Sequence, residues 1–346
     1  MGDAKSSELA ALVERPLFDV GDETYTWGDA VLGAVARGTW AEVERSTRDG
    51  LACVHAVTAS GEEADPETTR AEARRFRYTR DLLAAEELEA WRSSWRLGAA
   101  AWRDYLARRA ATTRFAEELE TVRARFPVSD GEVEAAVGAE AICSGFLEAA
   151  AEELAREAAL ADGARVRGSS PDAGRAAGLL GIDPDTAQQR LDDLAATAEA
   201  ARQAPAATPT LAAVAREIEA NALEWTAVAG ELLEVADEDV ANEAALCVRT
   251  DGQPLADVAA LCGVPLAPLQ LRLGDAGAAT AALASAREGE LLGPLPWNGG
   301  FGLVLVHEKR PPDASDAETH DRAAAAVAAR AAERAVRERV RRHERA

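Results

Sequence analysis

Histidine, cysteine, long apolar runs and excess positive charge are all scarce in this chain of 346 residues. The four cysteines lie in apolar contexts without CxxC spacing, which is typical of buried free thiols rather than of a metal site or disulfides. No apolar run is long enough to cross a bilayer, and the N-terminus lacks the apolar core of a secretory leader. The formal net charge of −22 disfavours nucleic acid as a partner. We expect a cytoplasmic protein with no cofactor, no metal and no membrane contact.

Alanine, Glu and Arg dominate instead, and all three favour helix. Hydrophobic residues make up 48 % of the sequence, and its length permits two or three domains. Thr26 with Asp29 three residues later predicts a helix start after two short extended segments. Ser129–Glu132 is a capping box, and we expect one continuous helix of about 30 residues after it. Most of the first two hundred residues should therefore be helical.

The stretch Gly289–Lys309 has a different pattern. Its prolines exclude helix from Leu291 to Pro296, and Asn298-Gly299-Gly300 favours a tight turn. The apolar run Phe301–Val306 is typical of a strand covered on both faces. Upstream, Trp225–Val235 predicts a further strand, and two helical segments follow it. The pattern therefore indicates a small antiparallel sheet with helices.

This order of strand, helices, turn and Gly-aromatic strand resembles a parvulin-type (PpiC) peptidyl-prolyl isomerase domain. The preceding helices, with their spaced tryptophans and the V-S-D segment at Val128–Asp130, are similar to SurA-like chaperones. The resemblance implies an α+β fold with a large helical lobe and a small antiparallel-sheet domain. It also implies that the last helix packs on the first domain. The expected parts are a flexible arm at 1–15, a SurA-like helical peptide-binding domain at 16–203 completed by the helix at 313–346, a linker or helix at 204–221, a parvulin-like domain at 222–311, and a C-terminal basic helix at 312–346.

Parvulin activity, as the family implies, depends on a pair of hydrogen-bonded histidines in the sheet. The first would fall at Glu231–Leu233, and the second would follow Gly300-Phe301, where Gly302 stands. The four histidines occupy neither place, and Pro265–Gly274 replaces the family's glycine-rich loop. We therefore predict no catalytic residue, although an apolar pocket alone can lower the barrier to prolyl rotation.

Five large apolar side chains are the candidate peptide contacts. Trp297, at a turn tip, either lies near the mouth of a pocket with Phe301 on the floor or packs on the helix before it. Leu233 is expected on the neighbouring strand. Trp95 and Trp102 stand at helical spacing with Trp91. Rings at such spacing are either core or a platform for an unfolded chain. His307 is either a surface histidine or a proton-transfer group.

The function that this resemblance favours is chaperone-like binding or presentation of an extended polypeptide by a degenerate parvulin domain. Extended chains bind at sheet edges or in apolar grooves, so both lobes are open as binding surfaces. An active isomerase is one alternative, and a structural subunit or homo-oligomer is another. The segment Arg322–Ala346, with eight Arg and three Glu, is either solvated or paired with acidic groups of this chain or a partner.

Overall fold

The computed structural model describes residues 8–61, 66–161, 173–204 and 208–343. The chain divides into two compact units, here named the helical unit (residues 1–207 and 331–346) and the sheet unit (residues 208–330). The secondary structure is mostly helix with two small antiparallel sheets. This confirms the predicted α+β class.

The first part of the chain forms two strands and ten helices within its described residues. They are β1 (Pro16–Val20), β2 (Glu23–Thr26), α1 (Trp27–Ala36), α2 (Trp40–Ser60), α3 (Pro66–Thr79), α4 (Ala85–Ser94), α5 (Ala99–Arg114), α6 (Leu119–Arg125), α7 (Asp130–Cys143), α8 (Phe146–Ala161), α9 (Ala173–Leu180) and α10 (Pro184–Gln203).

The remaining elements alternate between strands and helices. They are α11 (Leu211–Ala220), β3 (Ala227–Val235), α12 (Glu238–Arg249), α13 (Leu255–Cys262), β4 (Ala267–Arg272), α14 (Thr280–Ser285), β5 (Leu291–Trp297), β6 (Gly300–Arg310), α15 (Ala317–Arg339) and β7 (Val340–Arg342). Short 3₁₀ turns lie between β4 and α14.

Local side-chain hydrogen bonds start two helices of the helical unit where the sequence predicts them. Thr26 accepts from the backbone N–H of Asp29, and the Asp29 carboxylate accepts from the Thr26 N–H at 2.7 Å. Ser129 and Glu132 form the same reciprocal pair. Each box satisfies orphan N–H groups of the first turn, which explains why α1 and α7 begin there.

Two expectations about the helical unit are wrong. Residues 1–7 of the predicted arm lie outside the described residues, but Leu9, Leu12 and Val13 are at most 3 % exposed and belong to the core. The apolar spacing of these residues outweighs the polar composition around them. The long helix after Ser129 is interrupted at Gly145, whose φ of 86° ends α7 and lets α8 start anew.

The C-terminal segment is not helical to its end. Val340–Arg342 forms β7, which pairs antiparallel with β1 and completes a sheet of order β2-β1-β7. Val340 packs on the core of the helical unit, and Arg342 makes a bidentate pair with Glu152 at 2.7 Å. Strand pairing and this ion pair therefore hold in place a segment whose many arginines are also compatible with full solvation.

The sheet unit is built on four antiparallel strands in the order β4-β3-β6-β5. One face of the sheet packs on α14 and the 3₁₀ turns before it through Val228, Leu232, Val304 and neighbours. The other face packs on α12 and α13 through Leu233 and neighbours. This double cover explains the nearly continuous apolar character of β6.

Strand β4 is the one strand of this sheet that the sequence pattern does not predict. The segment Pro265–Gly274 was expected to be a loop in place of the family's glycine-rich segment. In the structure Ala267–Arg272 pairs antiparallel with β3 along its whole length. Leu269 and Leu271 face the core while Gln270 and Arg272 do not, so the alternation of a half-buried strand was present in the sequence.

Candidate functional site

An open groove of about 780 Å³ lies on the sheet unit where β3 begins. Ala227 and Ala229 of β3 form its floor, and Arg272 and Gln270 of β4 stand directly opposite them in the strand register. Side chains alternate between the faces of a strand, so these four share the face that also carries α12 and α13. Val228, between the two alanines, packs into the core on the opposite side.

The groove exists because this face of β3 changes in side-chain size along its length. Toward its far end Leu233 and Val235 fill the space under α12 and α13. At the near end Ala227 and Ala229 carry only a methyl group each and remain partly exposed. An alanine row therefore leaves room for atoms of another molecule on this part of the sheet.

The segment after β6 forms the rim of the groove. Pro311 and Pro312 cannot donate to a strand ladder, so β6 ends at Arg310. Asp313 then accepts a hydrogen bond from the backbone N–H of Ser315 at 2.9 Å. Asp316 accepts one from the N–H of Thr319 at 2.9 Å, which starts α15. These turns hold the rim over the alanine floor.

Charged groups of both signs line the groove, and carboxylates outnumber guanidinium groups. The charged lining residues are Asp275, Asp313, Asp316, Glu318, Arg272 and Arg310. Arg272 pairs with Glu318 at 2.5 Å, and Arg310 pairs with Glu308 at 3.3 Å. The guanidinium groups are thus already engaged with carboxylates of the same unit.

The two aspartates of the rim hold their charge. Hydrogen bonds from Ser315 lower the pKa of Asp313, and hydrogen bonds from Thr319 lower the pKa of Asp316. Asp313 and Asp316 are both exposed residues. Neither makes an ion pair with another of the described residues. The rim therefore presents two ionised carboxylates at neutral pH.

A histidine and a glutamate meet on the same face of the sheet, beyond the groove. Ala229 pairs with Glu308 and Gly230 with Val306, so His307 is the extra residue of a β-bulge. A Cβ on Gly230 would lie 2.2 Å from the carbonyl oxygen of Leu305, so this crossing of strands requires glycine. The bulge brings His307 Nε2 within 3.6 Å of Glu231 Oε2. That distance is too long for a hydrogen bond.

The positions at which the resemblance implies catalytic histidines hold no such pair. Glu231 stands at the first place, with Leu232 and Leu233 both buried after it. Gly302 stands at the second, where a Cβ would meet Leu232 at 3.0 Å and Trp297 at 3.2 Å. Side chains of the sheet core fill this place. His307 and Glu231 are half-exposed, and their side chains lie 3.6 Å apart.

The structure does not bring the predicted contacts Trp297, Phe301 and Leu233 together around one pocket. Pro296 is opposite Phe301 in the strand register, so Trp297 points to the other face of the sheet. Trp297 packs on the α14 side, whereas Phe301 packs with Leu233 under α12 and α13. Leu233 is 0 % exposed. The expected pocket with Trp297 at its mouth and Phe301 on its floor is therefore not formed.

Trp95 and Trp102, the predicted contacts of the helical unit, belong to an aromatic core. Trp95 is 1 % exposed and meets Trp27 edge-on at 4.8 Å between ring centroids. Trp102 meets Phe76 edge-on at 6.0 Å, and Trp91 meets the same ring at 5.2 Å. Edge-to-face packing of this kind stabilises a core. Trp95 is therefore a core residue, and Trp91 and Trp102 are half-buried against the same cluster.

The helical unit also contains a buried polar cluster. Glu140 accepts hydrogen bonds from Arg108 at 3.1 and 3.3 Å and from Ser46 at 3.1 Å. Glu140 is only 3 % exposed. Burial raises the pKa of the nearby Tyr105 hydroxyl to about 12, with the Glu140 charge adding to the effect. Burial also raises the pKa of the Cys143 thiol to about 12. The Tyr105 hydroxyl and the Cys143 thiol therefore stay protonated at neutral pH.

The groove offers small apolar and charged side chains to a ligand. Neither His nor Cys occurs among the described residues that line it. Nowhere in the described ranges do three or more His, Cys, Asp or Glu side chains gather as a metal would need. In that same part of the chain, every helix is too short or too polar to cross a bilayer.

Comparison with models of known protein families gives no match, and no curated protein matches the chain.

The groove was missed because its floor is made of residues that carry no chemical signature. The segment AVAGELLEV places Ala227 and Ala229 on one face and Leu233 further along the same face. This step in side-chain size was visible in the sequence. What could not be read there was that β4 lies beside it and that the segment after Arg310 closes the rim.

Proposed function

We propose that this protein binds an extended polypeptide in the groove of its sheet unit, as a chaperone-like protein without isomerase activity. The observation that carries the proposal is the alanine floor formed by Ala227 and Ala229 within an antiparallel sheet. A floor of methyl groups with polar groups around it accepts a main chain and small side chains without demanding one sequence.

The element order of the sheet unit supports the resemblance on which the proposal builds. A strand is followed by two helices, a second strand, a short helix and a two-stranded hairpin. The parvulin-type resemblance implied this succession apart from β4. The side chains at Glu231 and Gly302 argue against the family's catalytic histidine pair. A degenerate domain that keeps a binding surface fits both observations.

The cytoplasm is the compartment that we propose for it. All four cysteines are free thiols, two of them buried. Proteins of oxidising compartments more often pair their cysteines in disulfides. A formal net charge of −22 also favours neutral or basic polypeptides over nucleic acid as clients.

Filling the groove tests the proposal. Ala229→Phe places a ring on the floor at a strand position that tolerates aromatic side chains. We expect the affinity for a fluorescein-labelled, reduced and carboxymethylated client protein to fall about tenfold or more in anisotropy titrations. Ala256→Phe, on an exposed site of α13, is the matched control and should bind as the wild type does. Equal affinity of all three folded proteins would refute the proposal.

An active prolyl isomerase is the competing function. The chymotrypsin-coupled assay with a proline-containing tetrapeptide separates the two. We expect no acceleration above the spontaneous rate at any protein concentration. Acceleration that Ala229→Phe abolishes and Ala256→Phe leaves intact would make the groove an active site and replace the binding function.

A further inference from the structure

The two edges of the four-stranded sheet differ in how open they are to another strand. Along β5, Pro294 and Pro296 remove N–H donors. The Arg249 side chain occupies two carbonyl oxygens of the same strand, donating to Leu291 at 3.1 Å and to Gly293 at 2.8 Å. This edge is blocked by proline and by a charged side chain, the devices by which sheet edges avoid unwanted pairing.

The β4 edge carries a single proline and stays exposed. Ala267, Pro268 and Gln270 are exposed residues. The N–H of Leu273 donates to Thr226 at 3.0 Å, on the β3 side of the strand. Hydrogen-bonding direction alternates along an antiparallel strand, so the even-numbered residues of β4 point their backbone groups away from β3. The N–H groups of Gln270 and Arg272 therefore face outward.

The open edge and the groove are continuous. Gln270 and Arg272, whose backbone groups face outward, are also the residues of β4 that line the groove. A strand added along β4 would place every second side chain on the groove face of the sheet. Glu318 of the rim pairs with Arg272 of β4. One peptide can therefore form main-chain hydrogen bonds with β4 and extend side chains toward the rim.

The charges decide between two occupants of this edge. A second copy paired through β4 would bring identical surfaces together by two-fold symmetry. Each copy has a formal net charge of −22 and a rim with two ionised carboxylates, so like charges would face each other. A peptide with Lys or Arg at alternate positions meets the same carboxylates with opposite charge.

We propose that an extended basic segment of a client polypeptide adds as a fifth strand to the free edge of β4. This rests on the proposed function and names its binding mode and the class of client. The hydrogen bonds of β4 hold the main chain, and the basic side chains of the client face Asp313 and Asp316.

Hydrogen exchange with the full chain tests the pairing directly. The probe is a short peptide rich in Thr and Val that carries alternating lysines. Saturation with this peptide should slow exchange at the amides of Gln270 and Arg272 by about tenfold or more, because both amides leave solvent. Unchanged exchange at both amides while the peptide is bound would overturn strand addition.

A backbone variant and its side-chain control sharpen the result. Gln270→Pro removes one outward N–H on an edge strand, where proline is tolerated. We expect it to weaken the lysine peptide about tenfold, and by clearly more than Gln270→Ala, which removes the side chain but keeps the N–H. Equal weakening by both would assign the contact to the side chain and overturn the proposal. Should Gln270→Pro fail to fold, the exchange measurement on wild type still decides.

Neutral variants of Asp313 and Asp316 test whether their charge attracts the basic side chains of the peptide. Asparagine caps a turn as well as aspartate does, so Asp313→Asn with Asp316→Asn removes charge and keeps the hydrogen bonds. The double variant should weaken the lysine peptide about tenfold at low salt. Asp237→Asn, at the cap of α12, is the matched control and should have no effect. A glutamate counterpart of the peptide that binds as tightly as the lysine peptide would overturn the basic class.

The outcomes separate this inference from the proposed function. If the denatured client and the peptide both fail to bind, the proposed function falls and the inference falls with it. If the client binds and Ala229→Phe weakens it while β4 exchange and the aspartates play no part, only the inference falls. Dimerisation that the lysine peptide cannot displace would assign the edge to a second copy and overturn the inference.

Discussion

The two units differ in where their large and small side chains lie. In the helical unit the tryptophan rings belong to the core or pack against it: Trp27, Trp40 and Trp95 are at most 3 % exposed, and Trp91 and Trp102 pack around Phe76. In the sheet unit one face of β3 begins with alanines, and space remains above them. Rings that look like a binding platform in the sequence stabilise a core, and the least conspicuous residues leave the open surface.

The comparison also concerns polar groups. The helical unit buries Arg108 and Glu140 together, whereas the rim of the groove in the sheet unit carries exposed carboxylates. Buried charges must be paired and hydrogen-bonded, so they fix one arrangement. Exposed charges are free to meet a ligand. Mutation of the buried pair is therefore expected to change stability, and mutation of the exposed rim is expected to change binding.

Glu140→Ala should have the largest effect on stability. It leaves the Arg108 guanidinium buried without its carboxylate, and removing one member of a buried pair costs about 3–5 kcal/mol. Urea unfolding followed by tryptophan fluorescence reports it, because five of the seven tryptophans lie in the helical unit. Glu199→Ala, which breaks an exposed pair with Arg202, is the control and should leave the urea midpoint nearly unchanged. Similar costs for the two variants would contradict the account.

Alkaline pH should destabilise the helical unit through Tyr105 and Cys143. Burial raises the pKa of Tyr105 from 10.0 to about 12 and that of Cys143 from 9.0 to about 12. The unfolded chain therefore loses both protons first, so stability is complete below about pH 9 and falls as the pH rises toward 12. Tyr105 alone should account for a loss of about 3 kcal/mol in the free energy of unfolding. Urea midpoints measured across this range check the fall, and Tyr105→Phe should make it shallower. A pH-independent midpoint would contradict the burial of both groups.

Gly230→Ala should destabilise the sheet unit by about 2 kcal/mol, since the added methyl group meets the Leu305 carbonyl at 2.2 Å and the bulge must shift. Gly178→Ala, in α9, is the counterpart: its Cβ meets no atom within 4 Å, and alanine should stabilise that helix by about 1 kcal/mol. Opposite signs of the two changes in thermal unfolding are expected. Destabilisation by Gly178→Ala or neutrality of Gly230→Ala would contradict the two local geometries.

The sequence allowed the fold class and many local elements to be predicted, because each has a short-range cause. The capping boxes at Thr26 and Ser129 and the turn at Asn298 depend on neighbouring residues alone. The pairing of β7 with β1 joins residues more than three hundred positions apart, and no local pattern indicates it.

The candidate site shows the same limit. Alternation along β3 and β4 was readable, but which strand lies beside Ala229 is decided by the order of the sheet. The prediction that Trp297 and Phe301 share a pocket is wrong because Phe301 pairs with Pro296, one residue before Trp297. In a strand a shift of one residue moves a side chain to the opposite face.

Site-specific crosslinking compares the two units in one measurement. A photo-reactive benzoyl-phenylalanine is placed at Gln270 beside the groove or at Tyr78, a 73 % exposed site on the helical unit, and each protein is irradiated with the denatured client. The account predicts a client adduct from position 270 and none from position 78. An adduct from position 78 alone would assign client binding to the helical unit and contradict the central claim.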